Sequence, residues 1–353
     1  MRLLPVHKDT YNKFKLSGYV NNHWLEFAVN HVSPLWSPTR TKARVAAKRV
    51  ESADVITLTL IPNRNWQGFV PGQFVPLRVN IAGIKHERCY SLTGAPDSSV
   101  IQVTVKKVPG GRVSGFIHDE LTVGSIVELG SAAGDFVLPT ELPGKMLMLA
   151  GGVGITPLYS LITEALRRQP NADIVLIYYA RSERDFALLN RLEAAARIHP
   201  NLRVITRPAV PYSDDEMRTT VPDYALRQTW ACGPAPMLDR IESTYLDEQL
   251  SAQLHTERFA RTRVAQVESP AQPVHYRRSA VEATASAPTL LEAAEQAGLK
   301  PAHGCRMGIC NSCRCLKVDG TVRNVITGAL NDTPNSDIQL CISQPVTAVT
   351  LDI

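Results

Sequence analysis

The sequence has no long run of charge of one sign: its 38 basic and 33 acidic residues are interspersed over 353 positions, for a formal charge of +5. That argues against specific nucleic-acid binding, which gathers cations into a patch or stripe. Nor is there an uninterrupted apolar run long enough to cross a bilayer. The best candidate, residues 146 to 162, is broken by Gly151, Gly152, Gly154 and Pro157, so strand, turn and helix are predicted there. The first residues, Met1-Arg2-Leu3-Leu4-Pro5-Val6-His7-Lys8-Asp9, lack the continuous apolar core and small-residue cleavage site of a secretory signal, so a cytoplasmic location is expected. What is present, 44% hydrophobic and 20% charged residues, is ordinary globular material, long enough for about two to four domains.

Cysteine is sparse and unevenly placed. Of seven, four fall between Cys305 and Cys315, a density that means either a disulfide knot or a metal site. A reducing compartment favours metal. The order Cys305-x4-Cys310-x2-Cys313, with Cys341 far downstream, is the spacing of plant-type [2Fe-2S] ligands. Two irons bridged by two sulfides need four thiolates, three from one tight loop and the fourth from a distant strand. Gly304 and Gly308 take bulk out of that loop, so that backbone amides can approach the sulfurs. Zinc is the rival, but its cysteine ligands usually come as two separated, closely spaced pairs.

The flanking residues suit one small domain. Alternation over 274 to 278 and 281 to 284 predicts two strands, and Thr289 can cap a helix that buries Leu290, Leu291, Ala294 and Ala297 before Gly298 stops it. Cys305-Arg306-Met307-Gly308-Ile309-Cys310-Asn311-Ser312-Cys313 and Leu340-Cys341 resemble the cluster loop and returning strand of the ferredoxin family. The resemblance covers residues 271 to 353 and implies an α+β β-grasp domain in which Cys305, Cys310, Cys313 and Cys341 hold the cluster. Cys315 falls outside the pattern and is expected to be a core thiol.

Residues 41 to 140 hold short alternating stretches separated by Pro and Gly turns, which predict a small antiparallel β-barrel. Within it, Arg88-Cys89-Tyr90-Ser91-Leu92 resembles the flavin motif of the ferredoxin-NADP reductase superfamily, and Gly110-Gly111-Arg112-Val113-Ser114 its pyrophosphate-binding element. Pro71-Gly72-Gln73-Phe74 upstream and Gly134-Asp135-Phe136 downstream fall in the expected order. The resemblance implies that Tyr90 stacks on the isoalloxazine, that Ser91 bonds its N5 edge and that Arg88 pairs with the flavin phosphate. Leu92 and Val105 are further expected flavin contacts. Gly111, Val113 and Ser114 would open a helix whose free N–H groups suit a pyrophosphate, in a spacing that resembles FAD-binding members more than FMN-binding ones.

At Lys145 the pattern changes to strand, glycine turn and helix: Met146 to Ala150, then Gly151-Gly152-Val153-Gly154-Ile155-Thr156-Pro157. Pro157 stands where the usual dinucleotide fingerprint has a third glycine, and proline suits a first helical turn. A second strand over 174 to 179 leads to a helix expected near 185 to 196. This form, with Cys232-Gly233-Pro234 and Met237 downstream, resembles the superfamily's nicotinamide domain over residues 141 to 250. It implies that Gly152, Gly154, Gly233, Pro234 and Met237 bind the nucleotide. Thr156 and Cys232 would help place the nicotinamide over the flavin face opposite Tyr90. Arg181, Ser182 and Arg184 offer charge and a hydroxyl to a 2′-phosphate, which favours NADPH over NADH; the alternative is a pair of solvated surface arginines.

Residues 251 to 270 read as a linker, in which Glu257 and Phe259 match acidic and aromatic positions often near the flavin in this family. Residues 1 to 40 form an N-terminal extension with a packing helix through Trp24, Phe27, Ala28, His31 and Val32. The whole order resembles reductases that take hydride from NADPH to FAD and pass single electrons through [2Fe-2S] to a terminal oxidase. The elements Ser33-Pro34-Leu35-Trp36-Ser37 and Asn65-Trp66-Gln67-Gly68-Phe69 look most like electron-transfer partners of acyl-CoA desaturases, implying a membrane fatty-acyl desaturase as acceptor and a peripheral contact with it. The reductase component of a soluble ring-hydroxylating or epoxidising oxygenase is the alternative. A redox sensor is the alternative of another class.

Overall fold

The computed structural model describes residues 33–259, 270–285, 288–304, 306, 308 and 313–353. The helix expected around Trp24 to Val32, and the ligands Cys305 and Cys310, lie outside the described residues. No described helix is long and apolar enough to cross a membrane.

The first domain is a six-stranded antiparallel sheet made of β1 (Thr41–Ser52), β2 (Val55–Pro62), β3 (Phe74–Ile81), β4 (Ile84–Ser91), β5 (Ile101–Lys106) and β6 (Ile126–Leu129). The order is β4-β3-β6-β1-β2-β5, and its two edges meet through a bridge between Leu92 and Val103, curling the sheet on itself. Alternation drives this: Leu58, Leu60, Val103 and Val105 point inward and are fully buried. Helix α1 (Arg112–Asp119) covers one end and sends Val113 and Ile117 into that core. The two outlying motifs of the domain meet in space. Phe74 and Ala133 exchange backbone hydrogen bonds at 3.0 Å, and Gly72, at φ +95°, lies so close to the Phe136 carbonyl that a Cβ would stand 1.9 Å from it.

The Asn65 amide donates to the carbonyls of Ser37 and Arg40, and Asn63 donates to those of Leu35 and Arg40. The two elements that looked like a desaturase signature are thus stitched to each other. Their residues serve the entry to the barrel.

The second domain is an all-parallel sheet of β7 (Lys145–Gly151), β8 (Asp173–Ala180), β9 (Leu202–Pro208), β10 (Gln228–Cys232) and β11 (Leu254–Glu257), ordered β11-β10-β7-β8-β9. Around it lie α2 (Ile155–Arg168), α3 (Leu189–Ile198), α4 (Asp214–Thr220) and α5 (Ala235–Asp247). Strands β7 and β8 are buried runs, as a sheet covered on both faces requires. Two expectations need correction. The helix placed near residue 185 begins at Leu189, because Glu183–Asp185 is a 3-10 turn and Leu188 is left-handed at φ 59°. Residues 254 to 257, expected in the linker, form the edge strand β11, since Leu254 to Glu257 pair in parallel with Thr229 to Cys232.

The third domain has a mixed sheet ordered β13-β12-β19-β14-β17 and a three-stranded sheet ordered β16-β15-β18. Its strands are β12 (Gln272–Tyr276), β13 (Val281–Ala285), β14 (Arg314–Asp319), β15 (Val322–Asn324), β16 (Leu330–Asn331), β17 (Ser336–Gln339), β18 (Ser343–Pro345) and β19 (Val349–Leu351). Helix α6 (Leu290–Gln296) is capped by Thr289, whose hydroxyl accepts from the Glu292 amide, and ends at Gly298 with φ +81°. Cys315 is buried in this core, and burial pushes its thiol up to about 11, as suits a packing residue.

Arg227, with a side chain only 5% exposed, fastens the lower end of the parallel sheet by donating to Asp223 at 2.9 Å and to Asp173 at 2.6 Å. Arg227→Ala is expected to cost about 2 to 3 kcal/mol, the scale of charged hydrogen bonds. Urea unfolding at neutral pH checks this.

Candidate functional site

Strand order reverses on either side of β7, since β8 follows on one flank and β10 on the other. In an open parallel sheet that switch point leaves a crevice beyond the strand ends. A cleft of about 720 Å³ lies there, bordered by Gly151, Gly152, Pro234 and Met237, and further along by Tyr179, Arg181 and Arg240. The two loops that frame it touch backbone to backbone. A Cβ on Gly154 would stand 2.1 Å from the Cys232 carbonyl oxygen, and one on Gly151 2.6 Å from Pro234. Gly152 is left-handed at φ +54°, with open space where a side chain would be, so a ligand can approach its backbone.

Thr156 is buried in the first turn of α2, where its hydroxyl donates to the Val153 carbonyl at 3.0 Å. Cys232 is fully buried; burial, with Glu257 nearby, raises its thiol well above the ordinary value. It is held neutral, which does not suit nucleophilic attack, and it lies behind the lining of the cleft. Arg181 borders the cleft and is paired with Asp54 and Asp185. Ser182 donates to Asp185, and neither Ser182 nor Arg184 borders the cleft. Of the three residues expected at a 2′-phosphate, the fold brings Arg181.

On the barrel, β4 presents the flavin motif. Tyr90 is half-buried, and burial holds its phenol protonated, well above its usual range, so it offers a neutral ring face. The Ser91 hydroxyl is buried and has no hydrogen-bond partner among the described residues. A buried hydroxyl without a partner is a fitting place for a polar edge of a bound cofactor. Arg88 donates to the Glu87 carbonyl at 2.7 Å and to the Gly304 carbonyl of the cluster loop at 3.3 Å. Neighbouring His86 is held below its ordinary value by burial, then by Arg112 and Arg88, which marks an electropositive corner suited to phosphate.

Leu92, Val105 and Val113 are in the barrel core, so only their backbone can reach a cofactor. Ser114 also faces inward. Its hydroxyl accepts from the Val108 amide at 3.1 Å and crowds Gly111, where a Cβ would stand 2.5 Å away. The side chains of Val113 and Ser114 shape the turn whose backbone is expected to meet a pyrophosphate.

Cys313 and Cys341 stand 28 residues apart in sequence, yet their sulfurs are 3.2 Å apart. The Gly308 amide donates to the Cys341 sulfur at 3.3 Å. Gly308 is left-handed at φ +72°, a conformation that strains any L side chain, and a Cβ there would also press on the Ile342 side chain at 2.6 Å. Two converging sulfurs with an amide aimed at one of them fit thiolate ligation.

All three domains border a second cleft of about 750 Å³, lined by Phe74 and Gly134 of the barrel, Thr256 and Glu257 of β11, and Gly308 and Ile326 of the third domain. Glu257 lies opposite Cys232 in the β10–β11 register. Its oxygen Oε2 is buried and unpartnered among the described residues, and burial pushes the carboxyl up to about 8. Phe259 packs against the core beside β7. A carboxyl whose pKa is higher folded than unfolded favours the fold below its unfolded value of 4.5 and loses that contribution as pH rises through about 8. Thermal melts of Glu257→Gln between pH 4.5 and 8 are therefore expected to fall less steeply with pH than those of the parent.

Three family models match in series: an oxidoreductase FAD-binding domain over residues 42–138, an oxidoreductase NAD-binding domain over 148–243, and a 2Fe-2S iron-sulfur cluster binding domain over 274–346. An NADPH oxidoreductase of Mycobacterium tuberculosis is 33% identical over 91% of this chain and 86% of its own length. The glycine betaine monooxygenase reductase subunit of Chromohalobacter salexigens is 28% identical over 90% of this chain and 96% of its own. Phthalate dioxygenase reductase superposes with a TM-score of 0.63 at 22% identity, covering 88% of this chain and 97% of that one, a likeness of fold. The chain belongs to the ferredoxin-reductase-type NAD(P)H oxidoreductases, with an FAD-binding domain, a nucleotide-binding domain and a C-terminal [2Fe-2S] domain.

Proposed function

We propose that this protein is the reductase component of an oxygenase system, drawing on NADPH and delivering single electrons to a separate terminal oxygenase. The observation that carries this reading is the cleft bordered by all three domains, together with the Arg88–Gly304 contact between flavin motif and cluster loop. The bound flavin supplies the conversion of a two-electron hydride into single electrons that an iron-sulfur cluster can take. The chain's own residues hold and orient. Ser91 offers its hydroxyl to the flavin edge, Arg88 its guanidinium to the phosphate, and Tyr90 a neutral stacking face. Gly152, Pro234 and Met237 shape the nucleotide cleft, while Cys232 and Thr156, both buried behind it, set the depth to which a nicotinamide can enter. Cys305, Cys310, Cys313 and Cys341 are the ligand set by spacing.

The relatives favour an oxygenase over a desaturase as acceptor. The Chromohalobacter relative is named for a monooxygenase. The residues that suggested a desaturase have a structural use at the barrel entry.

Replacing Cys310 by Ser is expected to damage the cluster and leave the other two domains folded, since the third domain's core is separate from theirs. Ferricyanide reduction, fed from the flavin, survives, while delivery to the oxygenase or to cytochrome c collapses. Ser91→Ala acts earlier and slows flavin reduction, by roughly a hundredfold if the hydroxyl is worth a general catalytic hydrogen bond, so both acceptors suffer together. A Cys310→Ser protein that served its acceptor at the parental rate would take the cluster off the path.

A further inference from the structure

Among its described lining residues, the nucleotide cleft has one from outside the nucleotide domain: Lys106, at the end of β5 in the flavin barrel. The barrel's register places it there with a companion. Val55 pairs with Lys106, which brings the β1–β2 turn residue Asp54 alongside, and the Lys107 amide donates to the Asp54 carbonyl at 2.7 Å. Ser52 donates to Asp54 Oδ1 at 3.3 Å. The other carboxylate oxygen, Oδ2, stands 3.5 Å from Lys106 Nζ and 3.1 Å from Arg181 Nη2. One oxygen therefore bridges a cation of the barrel and a cation of the nucleotide domain. Arg181 has a second carboxylate, Asp185, at 3.4 Å.

Two cations thus meet at the rim of the cleft, each held by a carboxylate, and the carboxylate they share comes from the barrel. A phosphate monoester carries close to two negative charges and three strong acceptor oxygens, so it competes well for both. A nucleotide without that phosphate offers them only an uncharged ribose hydroxyl, a weaker partner than a carboxylate.

We propose that the flavin barrel takes part in selecting the nucleotide: Lys106 is a second cation for the 2′-phosphate beside Arg181, and Asp54 is the carboxylate that this phosphate displaces. The inference rests on the NADPH reading above. It gives Asp54 two consequences. Asp54 weakens NADPH binding, because its pairs with Lys106 and Arg181 must first be broken. With NADH bound, the same pairs persist and keep the loop after β8 tied to the barrel.

The test uses the full-length holoprotein with adenosine 2′,5′-bisphosphate and 5′-AMP as probes, their affinities measured by calorimetry. The quantity read is the ratio of the two affinities. Lys106→Met is expected to lower the preference for the bisphosphate about tenfold, the scale of a lost charged hydrogen bond. Asp54→Asn is expected to raise it about two- to fivefold, the scale of a released exposed ion pair. The opposite signs separate this from general damage to the cleft, which moves both probes together. Either variant leaving the ratio unchanged, or both shifting it the same way, overturns the inference. Arg181→Gln serves as the control for the underlying reading. If it leaves the ratio unchanged, the assignment of the 2′-phosphate to Arg181 is what fails.

Discussion

A pyridine nucleotide gives up two electrons together and an iron-sulfur cluster takes one, so the sites for both must open onto a common flavin site. The third domain keeps a core of its own, while the core of the nucleotide domain takes in Val55, Phe136 and Leu138 of the barrel, so those two domains are packed against each other. Within each domain, glycine allows the close approaches that shape the sites. Gly72 lets the barrel's two outlying motifs close on each other, Gly154 lets the β7 turn rest on the Cys232 carbonyl, and Gly308 lets the cluster loop reach the Cys341 sulfur. At Gly72 and Gly154 a single Cβ would force two backbone segments apart. Side chains then bridge the gaps: Arg88 to the cluster loop, and Asp54 to Arg181.

Much of this was legible in the sequence because the chemistry demands rare local patterns. Cysteine spacing, the Arg88–Leu92 motif and the glycine turn after β7 are short, and each lies within one loop or strand end. Periodicity recovered the strands flanking them. Thr289 and Gly298 marked the ends of α6 because cap and stop are local backbone effects. What failed was also physical. The start of α3 was misplaced because acidic residues suit either a 3-10 turn or a first helical turn, and only the left-handed Leu188 decides between them. The strand β11 was hidden because four residues carry too little alternation to announce an edge strand.

The expected site residues sort by whether their role is read from the side chain or from the backbone. Ser91 has a buried hydroxyl unpartnered among the described residues and Arg181 lies at the cleft rim, so their side chains are free of a core-packing duty. Leu92, Val105, Val113 and Ser114 lie within motifs whose pattern is set partly by packing, and their side chains serve the barrel. A motif records everything its residues must do, including folding. Lys106 and Asp54 were invisible for the opposite reason, since their meeting with Arg181 depends on how two domains dock and leaves no local trace.

The central claim is that electrons run in series from nucleotide to flavin to cluster. Protein stripped of flavin but retaining its cluster, mixed anaerobically with NADPH and followed by electron paramagnetic resonance, tests it most directly. The account predicts no signal from reduced cluster until FAD is restored, after which the signal grows in behind flavin bleaching. Reduction of the cluster by NADPH at an undiminished rate without flavin would contradict it.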